Sequence, residues 1–539
     1  MKEFLRIRYA AILTICIVLV IVIVSGKTNQ TKTVSKLVIF GDNIQTDFKP
    51  FVEESGIYIS SDTIGKTIDS NIFYDNIASK IIVTTNSDVA KFKVGEKKIE
   101  LNFEKKDISN EVKKVNNKIY VPINELTGIY NIDVNYNKKE DVITIDKKDN
   151  DIVLIKYNKT DVYLDIKTDS KVISKLTKND KLIVYTDSLK HNRWLKVKTG
   201  DNVVGYIFKD SATIQKFEEA KEENISKEKV VMFWQYGNNL DVLGNSKTGN
   251  VNVVSPTLYE VSNSKGDITS KKTSEYVTKA KSLGYKVWPI ITNGIDNASY
   301  STSDTSKLMN SESSRENLIK NILKILKEDN LDGINIDFEN MLENDRLFYT
   351  QFIRELAPLV RKEGKVLSVD MYFVKYIDRA GVGAAADYVM LMGYDQRGSW
   401  SSESGSISEI SWVEENINSL IKDSGIPANK IILGIPFYTR LWTEKVGSTK
   451  PTTTIYTMKQ ALEYVNKNNL KPKYDEKSGQ NYVEHTKGSL TYKMWIEDAS
   501  SVKKRIEVVN NNKLGGIAAW RKDFETPDIW NVIKDNIVK

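Results

Sequence analysis

From Val230 to the carboxyl end, short apolar runs alternate eight times with longer stretches of helical character, and few architectures accommodate that count. The runs are Val230 to Phe233, Val251 to Val254, Val287 to Ile291, Gly333 to Phe338, Val366 to Met371, Tyr388 to Met392, Ile431 to Pro436 and Gly516 to Trp520. Several are apolar at consecutive positions, as a strand buried on both faces must be, and the segments between them leave room for crossover helices. Eight such units within residues 227–539 predict an α/β fold, a closed (β/α)8 TIM barrel. In one intervening helix, Ser313 and Glu316 are spaced as a capping box ahead of Leu318, Ile322, Ile325 and Leu326 on one face. The stretch from Tyr438 to Leu514 is too long for a plain crossover, which predicts a small insertion between strands 7 and 8 over one side of the barrel mouth.

A chain of 539 residues holds more than this barrel. From Val34 to Lys148, short apolar alternations separated by polar turns predict a β-rich module over residues 34–148. Within it, KIYVPINEL from Lys118 to Leu126, followed by the strand at Val142 to Asp146, resembles the repeat domain at the amino end of copper amine oxidases, which also serves as an accessory module of bacterial wall proteins. No histidine lies in that range, so no copper is implied. Residues 151–214 carry five short strand signals spaced as in a small barrel. The segments VYLDIKTDSKVISKL, RWLKV and VGYI in it resemble a bacterial SH3-type domain, and the resemblance implies a wall-peptide partner. Trp194 and Tyr206 are candidates for its groove, set against their more ordinary use as core aromatics. Residues 215–226 are highly charged, without a continuous apolar face, and are expected to be a linker.

At the amino end, Lys2, Arg6 and Arg8 precede an uncharged apolar stretch from Tyr9 to Val24. This pattern predicts that residues 1–30 are an export signal, retained as a single-pass transmembrane anchor or cleaved, with the remaining domains extracytoplasmic. The membrane is therefore an expected partner. With one cysteine, Cys16, and two histidines, His191 and His485, the chain forms no internal disulfide and no Cys/His zinc site. The net charge of +7 is spread along the sequence, so no nucleic-acid partner is expected.

The segment Leu331 to Asn340, LDGINIDFEN, carries the most chemistry. Alternation along a strand puts Asn335, Asp337 and Glu339 on one face, pointing into the barrel, with Glu339 at the carboxyl end where such barrels place their active sites. Burying Asp337 beside Glu339 makes double ionisation costly and favours a shared proton, which a general acid requires. The plainer alternative is a pair of strand-end carboxylates engaged in salt bridges.

DGINIDFE resembles the Asp-Gly-x-x-x-Asp-x-Glu signature of family-18 glycoside hydrolases, the chitinase-like TIM barrels. Three further segments agree in order: LMGYD at Leu391–Asp395, GIPFYTR at Gly434–Arg440 and GGIAAW at Gly515–Trp520. The resemblance implies a retaining glycosidase in which the acetamido oxygen of the substrate is the nucleophile, with no cofactor and no metal. It implies that Glu339 is the general acid and base, that Asp337 orients the acetamido group and that Tyr394 hydrogen-bonds its carbonyl. Trp520 becomes an apolar floor for the sugar, and Asn335, Asp395, Tyr438 and Arg440 become further substrate-binding candidates, Tyr438 and Arg440 with a structural role as the alternative. Asp332 has the opposite parity and braces the strand.

The departures from the family pattern matter too. Asn335 replaces an aspartate found in many chitinases and is expected to donate to Asp337; Ile291-Thr292-Asn293-Gly294 replaces Ser-x-Gly-Gly; Thr439 replaces a glycine. These features, with Tyr474-Asp475-Glu476 and Met494–Asp498 in the insertion, resemble the peptidoglycan-directed branch that includes spore-cortex N-acetylglucosaminidases. The expected partner is thus a glycan, peptidoglycan or a chitin-like polymer of N-acetylglucosamine. The alternatives are a chitin or chito-oligosaccharide hydrolase, a silent wall-binding lectin, and a surface scaffold with a vestigial barrel.

Overall fold

The computed structural model describes residues 31–54, 56–185, 193–216, 228–271, 273–294, 300–339 and 341–538. The expected export segment 1–30 with Cys16, His191 and most of the charged linker lie outside the described residues. Among the described residues, no helix is long and apolar enough to cross a membrane. The chain divides into two compact units, one before and one after the linker, apart from residues 86–89.

The carboxyl-terminal unit is a closed parallel barrel. Its strands are β1 (Val230–Gln235), β2 (Val253–Val261), β3 (Ile290–Thr292), β4 (Gly333–Asp337), β5 (Val366–Met371), β6 (Tyr388–Met392), β7 (Ile431–Pro436) and β8 (Gly516–Trp520). Each pairs in parallel with its neighbours, and β1 closes the ring by pairing with both β8 and β2. The register explains the continuous apolar runs. One parity, including Met232, Trp234, Ile290, Met390, Met392, Ile432 and Ala518, packs inside the barrel. The other parity, including Val231, Phe233, Ile334, Val369 and Leu433, is buried as well, on the outer face that the helices cover.

Those helices are α1 (Leu240–Leu243), α2 (Ser274–Ser282), α3 (Glu312–Glu328), α4 (Arg346–Lys362), α5 (Arg379–Ala385), α6 (Ile410–Lys422), α7 (Ala499–Asn511) and α8 (Ile529–Asn536). The start of α3 corrects the expected capping box. Ser311, not Ser313, is the N-cap and accepts from the Ser314 N–H, while Glu316 pairs one turn on with Lys320 at 2.5 Å. Both cap choices leave the same apolar face, and Ser311 takes the cap because the preceding helix, Thr302–Asn310, ends there in the extended backbone that an N-cap requires, φ −104° and ψ 112°.

Between β7 and α7 the expected insertion is a five-stranded antiparallel sheet with one helix, Met458–Lys467. Leu441, Ala461, Val465, Val483, Met494 and Ile496 form its core. Its first strand, Tyr438–Lys445, begins one residue beyond β7, which sets the insertion at the carboxyl-terminal mouth of the barrel. Trp442 Nε1 donates to the Gly405 carbonyl at 2.8 Å and ties the sheet to the loop after β6.

In the amino-terminal unit, the first module folds as three small sheets about one core that includes Ile59, Ile64, Ile81, Phe92 and Ile145. The second module is a seven-stranded antiparallel sheet in which every strand contributes to one shared core, so the sheet curls around its own apolar face. Trp194 belongs to the protein rather than to an open groove: it is buried, stacks on Phe208 at 4.2 Å and meets Tyr163 edge-on. A buried carboxylate joins the two modules, Asp146 receiving Lys198 at 2.6 Å and the Tyr185 hydroxyl at 2.7 Å.

Candidate active site

The carboxyl ends of β1, β2, β4, β5, β6 and β8 surround a cavity of about 360 Å³ lined by Asp337, Glu339, Asp370, Tyr372, Tyr394, Asp395 and Trp520, among others. Asp337 is the last residue of β4, and inward parity buries it. Glu339 lies two residues beyond, opening onto the cavity, and its place is fixed through the backbone: its N–H donates to Asn293 Oδ1 at 2.9 Å. Asn293 is wholly buried and in turn donates to Thr305 Oγ1 at 3.1 Å. The departure at the end of β3 therefore supplies the acceptor that holds the loop carrying Glu339.

Three carboxyls lie together, Asp337 and Asp370 buried and Glu339 open to the cavity. Burial raises the pKa of Asp337 well above the carboxylate range, and the charges of Asp370 and Glu339 raise it further. Asp370 is raised by its own burial, against a hydrogen bond from Asn335 that favours the ionised form. Glu339 is raised by the cavity walls and by Asp395, while its hydrogen bond with Asp337 opposes the rise. All three shifts run toward the protonated form, and the Asp337–Glu339 hydrogen bond is the path that joins two of the carboxyls.

Asn335 corrects an expectation. Its amide donates to Asp370 Oδ2 at 2.7 Å, not to Asp337, and its carbonyl accepts from Ser368 Oγ at 2.6 Å. The reason is the register: Asn335 sits opposite Ser368 on β5, which brings Asp370 alongside. Asn335 is wholly buried and is not among the residues that line the cavity. Asp370 and Tyr372 are the site residues that the motifs did not reveal; their signal was the inward parity of an acid and a tyrosine at the end of β5.

Tyr394 is buried beneath the cavity, edge-on to Trp234 and to Tyr438. Burial raises its pKa far above 10, so it remains a hydroxyl donor. Trp520 closes the floor beside Trp234, with ring centroids 6.2 Å apart. Asp395 reaches the cavity from a left-handed backbone, φ 55°. Arg440 approaches it at 3.7 Å, and the buried Tyr438 hydroxyl bonds to it. Tyr438 and Arg440 thus contact Asp395 and are not among the residues that line the cavity. Asp332 lies at the opposite end of β4, where it accepts from the Val287 N–H at 2.9 Å and from Lys281 at 3.2 Å as a brace. Among the described residues, no group of three or more His, Cys, Asp or Glu is arranged to hold a metal ion.

Residues 229–525, more than half the chain, match the family described as glycosyl hydrolases family 18. The chain belongs to that family. Residues 38–145 match the copper amine oxidase N-terminal domain. An uncharacterized glycosylase of Bacillus subtilis is 28% identical over 284 residues, spanning 50% of this chain and 80% of that protein. The cortical fragment-lytic enzyme of the same organism is 26% identical over 266 residues, 46% of this chain and 60% of that one. Two solved structures share the fold. The chitinase of Chromobacterium violaceum superposes with a TM-score of 0.52 at 21% identity, covering 58% of this chain and 100% of its own. The spore cortex-lytic enzyme of Bacillus megaterium does so with 0.51 at 22%, covering 58% and 76%. The family-18 barrel makes this protein a glycosidase, with Asp337 and Glu339 at the mouth of its cavity.

Proposed function

We propose that the protein is an exported hydrolase that cleaves β-1,4 bonds next to N-acetylglucosamine in peptidoglycan, with retention and with the substrate's acetamido group as nucleophile. The observation that carries the mechanism is the Asp337–Glu339 pair, hydrogen-bonded and raised in pKa over a cavity that an aromatic floor completes. Glu339 donates its proton to the departing glycosidic oxygen. The proton that Glu339 donates is the one it shares with Asp337, so its departure leaves both carboxylates ionised; Asp337 turns the acetamido group so that its oxygen meets the anomeric carbon, and its negative charge stabilises the cyclic cation. The Tyr394 hydroxyl donates to the acetamido carbonyl, Trp520 lies under the sugar, and Asp395 contacts the sugar from above Arg440. Glu339 then takes a proton from the water that opens the intermediate. The chain's own residues suffice for this cycle.

Peptidoglycan is favoured over chitin because the match to the cortical fragment-lytic enzyme of Bacillus subtilis takes in 46% of this chain, against 26% for the chitinase of Aphanocladium album and 40% for that of Autographa californica nuclear polyhedrosis virus. Export rests on residues 1–30, and the SH3-like module 151–214 is proposed to bind wall peptide. Mass spectrometry of products from defined peptidoglycan and from chitin oligomers tests the substrate: muropeptides with N-acetylglucosamine at the new reducing end support the reading, and turnover of chitin oligomers alone refutes it. A thiazoline analogue of N-acetylglucosamine tests the nucleophile. Competitive inhibition is expected, whereas a trapped glycosyl ester on Asp337 refutes substrate assistance.

A further inference from the structure

Glu339 is held at both of its peptide groups. Its N–H donates to Asn293 Oδ1 at 2.9 Å, and its carbonyl accepts from the Met341 N–H at 3.2 Å in a turn whose Met341 side chain is buried. One residue further on, the Leu342 N–H donates to Asp345 Oδ2 at 3.0 Å. Asp345 has no exposed surface, and its other oxygen is met by side-chain donors: Ser306 Oγ donates to Oδ1 at 2.6 Å and Asn310 Nδ2 at 3.2 Å.

These two supports, one before Glu339 in the chain and one after it, meet in a single element. Ser306 and Asn310 belong to the helix Thr302–Asn310, between β3 and α3, and so does the buried Thr305, whose Oγ1 accepts from Asn293 Nδ2 at 3.1 Å. Thr305 and Ser306 are consecutive, so their side chains leave the helix about 100° apart and reach Asn293 and Asp345 separately. The start of the helix is fixed in turn by a capping box, in which Ser301 accepts from the Asp304 N–H and Asp304 accepts from the Ser301 N–H. A carboxyl that gives up a proton in a transition state must keep its place to within about 0.5 Å, and a rigid helix joined to the backbone on both sides of it supplies that constraint.

We propose that the helix Thr302–Asn310 is a bracket for the general acid, with Ser306 and Asp345 as positioning residues of the glycosidase reaction. Neither is among the residues that line the cavity, so both act through the backbone that carries Glu339. This role rests on the reading of Glu339 as the proton donor.

The test compares, on the full chain, two glycosides of one oligosaccharide ending in N-acetylglucosamine: one whose leaving group is a further sugar, and one whose leaving group is dinitrophenolate. The sugar oxygen departs with the proton of Glu339, whereas dinitrophenolate departs without one, and kcat/KM reports the step in which the bond breaks. Ser306→Ala and Asp345→Asn should lower kcat/KM about tenfold on the sugar glycoside and leave it within about twofold on the dinitrophenyl glycoside. Ser306→Thr keeps the hydroxyl donor and should keep the parent rate on both. Should Asp345→Asn fail to fold, Ser306→Ala, the milder change, decides. Equal losses on the two glycosides mean that the cluster only supports the fold, and unchanged rates on both mean that it does not reach Glu339; either result overturns the bracket. Glu339→Gln is measured beside them, and if it loses equally on both glycosides, the assignment of Glu339 as proton donor is what fails.

Discussion

Glu339 carries the proton in the proposed cycle, and the groups around it set the pH at which it does so. Glu339→Gln keeps the shape and loses the proton, so hydrolysis should fall by about 10²-fold to 10⁴-fold while ligand binding persists, as calorimetry with an oligosaccharide would show. Asp395 raises the pKa of Glu339 through its charge. The general acid must be protonated, so activity is lost as pH rises through that pKa. Asp395→Asn removes the nearby charge, lowers the Glu339 pKa and should move the alkaline limb of the kcat/KM profile to lower pH. An alkaline limb that stays in place or moves upward would contradict the assignment. Asn293→Ala leaves the Glu339 N–H without its acceptor and should lower kcat more than it raises KM, since a misplaced acid affects the chemical step.

At the scale of elements, the barrel depends on ties between helices and the loops at its mouth. Glu497, at the end of the insertion, pairs with Arg505 on α7 at 2.8 Å, and both are buried. Arg505 also donates to the Ser408 carbonyl at 2.8 Å, while Gln480 donates to Glu497 at 2.7 Å. One buried cluster thus joins the insertion, α7 and the loop that leads into α6. Glu497→Ala leaves Arg505 charged and unpaired in the interior and should destabilise the barrel by about 3–5 kcal/mol, measured by urea unfolding. The strands of this barrel were legible because both of their faces are buried, which writes several of them as runs of consecutive apolar residues, while β4 and β5 break the run with the polar residues they turn inward. The helix start at Ser311 was not, because two serines two residues apart offer equivalent caps and the end of the preceding helix selects between them.

For the whole molecule, the two compact units have separate cores, so the barrel should not need the accessory modules to fold. A fragment of residues 228–539 should keep the kcat/KM of the full chain on soluble oligosaccharides and lose activity only on insoluble wall, measured as reducing sugar released from each. Removal of residues 1–30 should give a soluble, active protein, and the full-length chain should sediment with membranes unless the segment is cleaved; fractionation distinguishes the two.

Strand periodicity and local motifs were enough to determine the eight-fold barrel, the insertion, and the inward placement of Asp337 and Glu339, because these follow from alternation along one strand and from spacing within one segment. Only the tertiary structure decided what those residues meet. Asn335 bonds to Asp370 because β4 and β5 pair in one particular register, and Glu339 is held by Asn293, 46 residues away, because β3 lies beside β4. Tyr438 and Arg440 contact Asp395 because the insertion folds back over the barrel mouth. Contacts between strands depend on how the ring closes, and ring closure is a property of the whole chain that no single segment encodes.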